Sequence, residues 1–120
     1  MNDSNFPENE RQKAPLVTVL MAVHNGESFL HLAVDSILEQ TFTDFEFLIV
    51  EDGSTDATSS ILADFAAKDD RIRVLPNLDN LGLTPSLNIG LRSARGQYIA
   101  RMDADDICMP ERLRRQVDYL

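Results

Sequence analysis

The sequence predicts an α/β protein whose centre is a doubly wound, Rossmann-like and mostly parallel sheet of about four strands with flanking helices. Two observations predict this class. Apolar segments of strand length alternate along the chain with segments whose apolar residues recur at helical spacing. The first strand, LVTVLMAV at residues 16–23, is apolar at nearly every position, which is typical of a strand covered by helices on both faces.

Two strand–helix units are predicted in the first half of the chain. After the first strand, residues 28–40 place apolar side chains on one helical face. The second strand is FEFLIV at residues 45–50, which is rich in β-branched and aromatic residues. The second helix is predicted at residues 56–68. Its start is expected to be capped by Ser54, Thr55 or Asp56.

The same alternation continues in the second half. RIRVLP at residues 71–76 predicts a short third strand that ends at a proline. A third helix is expected to begin with Thr84 as its capping residue and Pro85 at its first position, and to end at Gly96. QYIARM at residues 97–102 predicts the fourth strand.

One domain is expected at residues 16–120. Residues 1–15 are polar and lack the apolar core of a signal peptide, so they are expected to form a flexible lead-in. A fourth helix is predicted to start at Pro110 and to continue to Leu120 without a glycine or another C-terminal signal. The domain is therefore expected to be truncated at its C-terminal end.

Composition excludes several classes of function. The formal net charge of -9 disfavours binding to a nucleic acid polymer, which requires a surplus of Lys and Arg. The single Cys108 allows neither an internal disulfide nor a Cys-rich zinc site, and it indicates a reducing compartment. No apolar run approaches the roughly 20 residues of a membrane span. A cytoplasmic location is expected, and any attachment to the inner face of a membrane would come from parts outside this sequence.

Three polar clusters follow directly after predicted strands: HNGES at residues 24–28, EDGSTD at 51–56 and DADD at 103–106. In a parallel sheet the carboxyl ends of the strands share one edge, and open α/β sheets bind their ligands there. The sequence therefore predicts a binding site composed of these three clusters.

The first two clusters each allow a structural and a functional interpretation. His24 is either an ordinary histidine of a strand-to-helix turn or a ring that stacks on a flat heterocycle. Glu51 and Asp52 are either solvated carboxylates that favour the next helix N-terminus, or acceptors for the ring N–H of a base and the hydroxyls of a ribose. The expected convergence of the clusters favours the functional interpretation.

The third cluster is a candidate metal site. Asp103, Asp105 and Asp106 place three carboxylates within four residues, and their mutual repulsion requires a compensating cation or donor. Oxygen ligands without His or Cys nearby favour a hard divalent ion such as Mg or Mn, which often takes further ligands from substrate phosphates. The alternative is a solvated acidic loop.

Several ordered motifs together resemble the N-terminal half of a family 2 glycosyltransferase with the GT-A fold. They are VTVLMAVHNGESFL, SILEQTFTDFEFLIVEDGSTDAT and NLGLTPSLNIGLRSARGQYIARMDADDICMPERL, and the resemblance covers residues 16–120. It implies transfer of a sugar from a nucleoside diphosphate sugar, usually a uridine diphosphate sugar, to an acceptor hydroxyl. It also implies a divalent metal cofactor, Mn or Mg, and inversion at the anomeric carbon.

The resemblance implies a role for each matching residue at the nucleoside end of the donor. Ala22 and His24 would contact the base, and Asp52, preceded by Glu51, would accept a hydrogen bond from it. Residues of two N-x-G elements would flank the donor pocket. These are Asn80, Gly82, Asn88 and Gly90.

At the other end of the donor, the resemblance implies that Asp103 touches the ribose, that Asp105 binds the metal and that Asp106 supports them. It places the general base and the acceptor-binding residues beyond Leu120. No catalytic base is therefore assigned, and the 120-residue chain alone is expected to be inactive.

The acceptor is left open as a glycan, a lipid-linked molecule or another hydroxyl compound. Two alternatives to the transferase interpretation also stay open: a nucleotide-binding module without turnover, and a phosphoacceptor signalling domain, which likewise has acidic residues at its strand tips.

Overall fold

Strands and helices alternate along the part of the chain that the computed structural model describes, residues 14–120. The strands are β1 (Val17–Val23), β2 (Phe45–Asp52), β3 (Ile72–Asn77) and β4 (Tyr98–Arg101). The helices are α1 (Leu30–Leu38), α2 (Thr58–Lys68), α3 (Leu83–Ser93) and α4 (Arg112–Asp118). Residues 1–13, which hold nearly all of the predicted lead-in, lie outside the described residues.

The four strands form one parallel sheet in the order β3-β2-β1-β4. The chain first moves outward from β1 to β3, and then returns across the sheet to place β4 on the other side of β1. This reversal of direction is the defining feature of a doubly wound sheet. The predicted fold class is therefore confirmed.

The two faces of the sheet bury separate apolar clusters, because successive side chains of a strand point to opposite faces. One face buries Met21, Phe47 and Ile49 beneath α1, α2 and α4. The other face buries Leu20 and Val50 beneath α3. Helices thus cover both faces, as the nearly continuous apolar sequence of β1 predicts.

Helix α3 approaches its face of the sheet closely at Gly90. A Cβ at this position would overlap a methyl group of Leu20 and lie 3.3 Å from Val50 Cγ2. The glycine therefore permits a packing distance that any larger residue would prevent. This packing fixes α3, whose first residues lie at the edge of the sheet where the strands end.

A buried ionic network fixes the opposite end of β2. One carboxylate oxygen of Glu46 accepts from Arg73 Nη1 at 2.6 Å, and the other accepts from Thr18 Oγ1 and the Arg95 N–H, each at 2.6 Å. Burial raises the pKa of Glu46, but these donors outweigh burial and keep its pKa below the ordinary value. The carboxylate therefore ties β1, β3 and the connection from α3 to β4 together.

The register brings the carboxyl ends of neighbouring strands to one edge. Val23 of β1 pairs with Glu51 of β2, and Asp52 pairs with Asn77 of β3. β4 runs parallel to β1 on its other side, so the segment after β4 leaves from the same edge. The three polar clusters identified in the sequence therefore follow strand ends that share this edge, as predicted.

The predicted start of α3 was wrong by two residues. The helix begins at Leu83 rather than after Thr84, and Gly82 precedes it with φ 97°. The Gly82 N–H donates to Asp52 Oδ2 at 2.9 Å and to Asn80 Oδ1 at 3.2 Å, and not to the predicted capping hydroxyl. Pro85 consequently occupies the third helical position and not the first.

The start of α4 and the role of Gly96 also differ from the prediction. Helix α4 begins at Arg112, because the carbonyl of Pro110 accepts from the Thr41 N–H at 2.9 Å and lies outside the helix. Helix α3 ends before Gly96 is reached. The Gly96 N–H donates to Thr18 Oγ1 at 2.8 Å, and a Cβ at Gly96 would overlap the Thr18 backbone, so this glycine permits a close approach to β1.

Within residues 14–120, every helix is too short or too polar to cross a lipid bilayer.

Candidate functional site

The turn after β1 and the turn after β2 are held together by the side chain of Asn25. Its Oδ1 accepts from the N–H groups of Thr55 at 2.8 Å and Asp56 at 3.3 Å, and its own N–H donates to Ser54 Oγ at 2.9 Å. Asn25 adopts φ 52°, a left-handed conformation that Asn tolerates better than most residues. The short side chain therefore links two turns that are far apart in sequence.

A second set of hydrogen bonds joins the same two turns at the start of α2. The Gly26 N–H donates to the buried Thr58 Oγ1 at 2.8 Å, and the Glu27 N–H donates to Asp56 Oδ2 at 3.2 Å. Asp56 also accepts from the Thr58 N–H at 2.9 Å, so it is the one of the three predicted capping residues that binds an N–H at the helix start. Together these contacts make the edge of the sheet a defined surface.

Glu51 is buried and supports the turn after β2. Its Oε1 accepts from the Ser54 N–H at 2.8 Å, and its Oε2 accepts from Ser59 Oγ at 2.9 Å. Glu51 thus faces α2, whereas its neighbour Asp52 points to the other face of the sheet. The predicted contact between Glu51 and a donor nucleotide stays a prediction, and these hydrogen bonds account for the carboxylate without one.

Asp52 is only 4% exposed and accepts hydrogen bonds on both carboxylate oxygens. Oδ1 accepts from Asn77 Nδ2 at 2.9 Å and the Leu81 N–H at 2.8 Å, and Oδ2 accepts from the Gly82 N–H at 2.9 Å. Burial raises the pKa of Asp52, but these donors and Ser86 outweigh burial, so the pKa lies below its ordinary value. The ionised carboxylate therefore anchors the segment that leads into α3.

The ring of His24 is oriented by the main chain of Asp52. Its Nδ1 lies 2.8 Å from the carbonyl oxygen of Asp52, which can only accept, so Nδ1 carries the hydrogen. In the neutral ring Nε2 is then an acceptor, and the side-chain amides of Asn25 and Asn80 lie 3.3 Å and 3.4 Å from it. This arrangement fixes the ring at the mouth of the site.

A cleft of about 150 Å³ lies where these segments meet. Its lining residues are Ala22, Val23, His24, Asp52, Asn80, Gly82 and Leu83. Five residues that the sequence predicts at the donor pocket therefore line one cleft: Ala22, His24 and Asp52, predicted at the base, and Asn80 and Gly82, predicted to flank the pocket. Asn88, also predicted to flank the donor, is exposed on α3 and lies outside this lining.

Gly53 allows the roof of the cleft to approach the turn after β2. It has φ +65°, and a Cβ would lie 2.6 Å from the Asn80 N atom and 2.6 Å from the carbonyl carbon of Asp79. Both atoms belong to the main chain and cannot move aside independently. The glycine of EDGSTD is therefore required by the close contact between two backbones as well as by the turn.

The acidic cluster after β4 is exposed and compact. One carboxylate oxygen from each of Asp103, Asp105 and Asp106 lies within 4.8 Å of the others. Asp106 Oδ2 accepts from the Asp103 N–H at 2.9 Å, which fixes the turn, and Arg101 lies 3.6 Å from Asp103. Three oxygen donors at this spacing fit a hard divalent cation. A solvated acidic turn has the same exposure.

Two residues that support the site, Asn77 and Ser86, were not singled out from the sequence. Asn77 Nδ2 donates to Asp52 Oδ1 and also lies 3.1 Å from Ser86 Oγ, and Ser86 is fully buried. The available signal for Asn77 was its position at the end of the third strand. That strand was predicted to end at Pro76, one residue too early to include it.

Comparison with known sequences gives a consistent family. The model of the family described as "Glycosyl transferase family 2" matches residues 18–120. An uncharacterised glycosyltransferase of Haemophilus influenzae is 42% identical over 109 residues, which cover 91% of this chain and 34% of the relative. The putative glycosyltransferase EpsE of Bacillus subtilis is 42% identical over 107 residues, covering 88% and 38%. The chain therefore spans about a third of the length of these curated relatives.

Two solved structures share the architecture. The crystal structure of S. aureus TarS 1-349 in complex with UDP matches with a TM-score of 0.80 and 26% identity, covering 86% of this chain and 31% of that chain. The mannosyltransferase PcManGT from Pyrobaculum calidifontis, in complex with GDP-Man and Mn2+, matches with a TM-score of 0.82 and 26% identity, covering 91% and 33%. The same sheet and helices thus occur in proteins solved with bound nucleotides.

Proposed function

Because the chain belongs to glycosyl transferase family 2, we propose that it forms the donor-binding part of an enzyme that transfers a sugar from a nucleoside diphosphate sugar to an acceptor hydroxyl. The GT-A fold that this requires is confirmed by the match to TarS and PcManGT. One observation carries the proposal: a cleft lined by His24, Asp52 and Asn80 and an acidic cluster after β4 share one edge of the sheet.

The cleft is proposed to bind the base of a uridine nucleotide. His24 offers a flat ring, and Asp52 offers a buried, ionised acceptor suited to a ring N–H. A uridine diphosphate sugar is the favoured donor because TarS, one of the structural relatives, has also been solved in complex with UDP-GlcNAc. PcManGT was solved with GDP-Man, so a guanosine nucleotide is the natural comparison in any binding experiment.

The acidic cluster is proposed to hold Mn or Mg against the diphosphate. Asp105 and Asp106 would ligate the cation, and Asp103 would accept from the ribose. A bound divalent cation supplies positive charge that offsets the charge developing on a nucleoside diphosphate leaving group. Without it, the phosphates would face three exposed carboxylates, and the repulsion would oppose binding.

The proposed reaction is attack of an acceptor hydroxyl on the anomeric carbon of the donor. The new glycosidic bond forms as the bond from that carbon to the diphosphate oxygen breaks, and the hydroxyl proton passes to a base. Inversion at the anomeric carbon is the proposed outcome. None of the described residues is assigned as the base. The residues of this chain bind and orient the donor.

The geometry of Asp52 disfavours a phosphoacceptor role, which was an alternative from the sequence. A phosphoacceptor carboxylate needs an accessible oxygen to attack a phosphoryl group. Asp52 is 4% exposed and its two oxygens already accept from Asn77, Leu81 and Gly82.

A nucleotide-binding module without turnover would use the same cleft as a donor site. A binding experiment therefore tests the property that the module and the transferase share.

Thermal unfolding of the 120-residue chain with UDP, with Mn2+, with both and with neither tests the proposal. Ligand at about 100 times its dissociation constant stabilises the folded state by roughly 2.7 kcal/mol. A shift of several degrees is expected when UDP and Mn2+ are combined, and a much smaller shift with UDP alone. Equal shifts with and without Mn2+ would contradict the metal assignment. No shift with any combination would contradict nucleotide binding itself.

The variant Asp105→Asn provides the matched test of the cluster, because it keeps the shape of the side chain and removes its charge. It should abolish the extra shift that Mn2+ gives to UDP. The control Asp118→Asn removes one exposed negative charge at the end of α4, away from the DADD turn, and should leave that extra shift unchanged.

A further inference from the structure

The support behind Asp52 determines what this carboxylate can offer to a ligand. A carboxylate has about four lone-pair sites. Oδ1 uses two of them on Asn77 Nδ2 and the Leu81 N–H, and Oδ2 uses one on the Gly82 N–H. Protein donors therefore leave at most one acceptor position, on Oδ2, at a residue that lines the cleft.

Among these three donors, only the amide of Asn77 belongs to a side chain, which can rotate. The Leu81 and Gly82 donors belong to the main chain, whereas the Asn77 amide must itself be held. Its Nδ2 lies 3.1 Å from Ser86 Oγ and 2.9 Å from Asp52 Oδ1, so one nitrogen with two hydrogens bridges two buried oxygens. Ser86 lies on α3, and its own N–H donates to the Gly82 carbonyl.

These contacts form a closed circuit through Asp52, Asn77, Ser86 and Gly82. The carboxylate holds the turn at residues 80–82, the turn leads into α3, and α3 carries the hydroxyl that orients Asn77. The turn also brings Asn80 to the cleft beside His24. The orientation of Asp52 and the position of the cleft roof are therefore set by the same hydrogen bonds.

We propose that Asn77, supported by Ser86, is a positioning residue for nucleotide recognition: it directs Oδ1 of Asp52 to the Leu81 N–H and Oδ2 to the Gly82 N–H, and leaves a single acceptor on Oδ2 for the base. This inference rests on the proposed donor-binding function. It assigns no contact between Asn77 and the nucleotide. Its consequence is that base recognition depends on a residue behind the site.

Asn77→Ala tests this in two independent ways. In the nucleotide-free chain, amide hydrogen exchange at Leu81 and Gly82 should accelerate about tenfold, because the carboxylate that they bind loses its orientation. Affinity for UDP in the presence of Mn2+ should fall about tenfold, as for one lost hydrogen bond to a charged group. Affinity for Mn2+ alone should be unchanged, since the acidic cluster follows a different strand.

Asn77→Asp separates positioning from general damage to the fold. A second carboxylate against Asp52 raises the pKa of the pair, so the two share a proton as the pH falls. The shared proton restores a donor to Asp52 Oδ1. UDP affinity should therefore be low at about pH 8 and recover at least threefold by about pH 5.5. Asn77→Ala should show no such recovery.

Two controls complete the experiment. Gln97→Glu makes the same change from amide to carboxylate at an exposed position before β4 and should follow the unmodified chain at every pH. Ser86→Ala removes the hydroxyl that orients Asn77 and that also helps to lower the pKa of Asp52, so it should weaken UDP binding in the same direction, about threefold. Because the buffer and the ligand also change with pH, affinities are compared with the unmodified chain at each pH.

The outcomes distinguish this inference from the proposed function. Unchanged amide exchange in Asn77→Ala, or an Asn77→Asp variant that stays weak at low pH, overturns the positioning role. If the unmodified chain binds no UDP, the donor-binding function fails, and the exchange rates of Leu81 and Gly82 still decide whether Asn77 orients Asp52. Accelerated exchange together with pH-dependent recovery of UDP affinity supports the inference.

Discussion

Replacement of Asp52 by Asn should destabilise the chain strongly, because the amide can satisfy only part of the hydrogen-bonding set. The carboxylate accepts from three donors on two oxygens. An asparagine has one acceptor oxygen, which would replace Oδ1 and serve Asn77 and Leu81. Its NH2 group would then face the Gly82 N–H, placing a donor against a donor.

The magnitude follows from these three contacts. The two surviving hydrogen bonds change from charged to neutral acceptors, at a cost of roughly 1 kcal/mol each. The third is lost and places a donor against the Gly82 N–H, which keeps only its longer hydrogen bond to Asn80 Oδ1 at 3.2 Å, at a cost of about 1 to 3 kcal/mol. The expected loss is therefore about 3 to 5 kcal/mol in the free energy of unfolding. A small domain has only about 5 to 15 kcal/mol in total.

Urea unfolding at pH 7, followed by circular dichroism, measures this loss directly. Asp79→Asn is the matched control, because Asp79 is an exposed carboxylate in the same segment and should change the stability by less than about 0.5 kcal/mol. A loss below about 1 kcal/mol for Asp52→Asn would refute the reasoning, because water would then satisfy the 81–82 backbone as well as the carboxylate does.

Two further predictions concern the same scaffold. The pKa values of Asp52 and Glu46 are lowered in the folded chain. Both carboxylates therefore stabilise the fold fully above the ordinary carboxyl pKa, and this stabilisation is lost as the pH falls below about 4. The free energy of unfolding measured between about pH 6 and pH 3 should fall less steeply in Asp52→Asn than in the unmodified chain. Glu46→Gln should cost about 1.5 to 3 kcal/mol in urea unfolding because Arg73 loses its charged partner, whereas Glu39→Gln, an exposed change at the end of α1, should cost less than about 0.5 kcal/mol. A Glu46→Gln cost as small as that of Glu39→Gln would contradict the role of the ionic network.

The fold was largely predictable because its signals are local and repeated. The apolar sequence of β1 requires that helices cover both faces of the sheet. Segments of strand and helix character that alternate along the chain are typical of a parallel sheet with flanking helices. Helix starts were less predictable, since α3 is capped by Asp52 from a distant strand and not by Thr84. A single sequence shows a capping residue only when the cap is local.

The candidate site was predictable in outline because strand ends converge whatever the details of the turns. Ala22, His24, Asp52 and Asn80 do line one cleft. Neighbouring side chains of a strand point to opposite faces of the sheet, so only one of Glu51 and Asp52 can reach the cleft. The sequence does not indicate which of the two does, and in the structure it is Asp52. Asn77 was missed because its function depends on the pairing of β2 with β3, which fixes it opposite Asp52.

The separation between the cleft and the acidic cluster predicts a division of labour that affinity measurements can detect. The two lie after β2 and β4, on opposite sides of β1, which is about two strand spacings or roughly 10 Å. Asp52→Asn should therefore reduce the preference for UDP over GDP while the requirement for Mn2+ survives. Asp105→Asn should weaken the dependence of binding on Mn2+ while the preference for UDP over GDP survives.

Because Asp52 and Asp105 share no described hydrogen-bond partner, their effects on the affinity for UDP with Mn2+ should add to within about 0.5 kcal/mol in the double variant. Calorimetry on samples whose circular dichroism matches that of the unmodified chain provides the measurement. A coupling above about 1 kcal/mol would mean that cleft and cluster act as one unit. The base and the metal would then not be recognised separately, and the assignment of the two carboxylates to different ends of the donor would have to be abandoned.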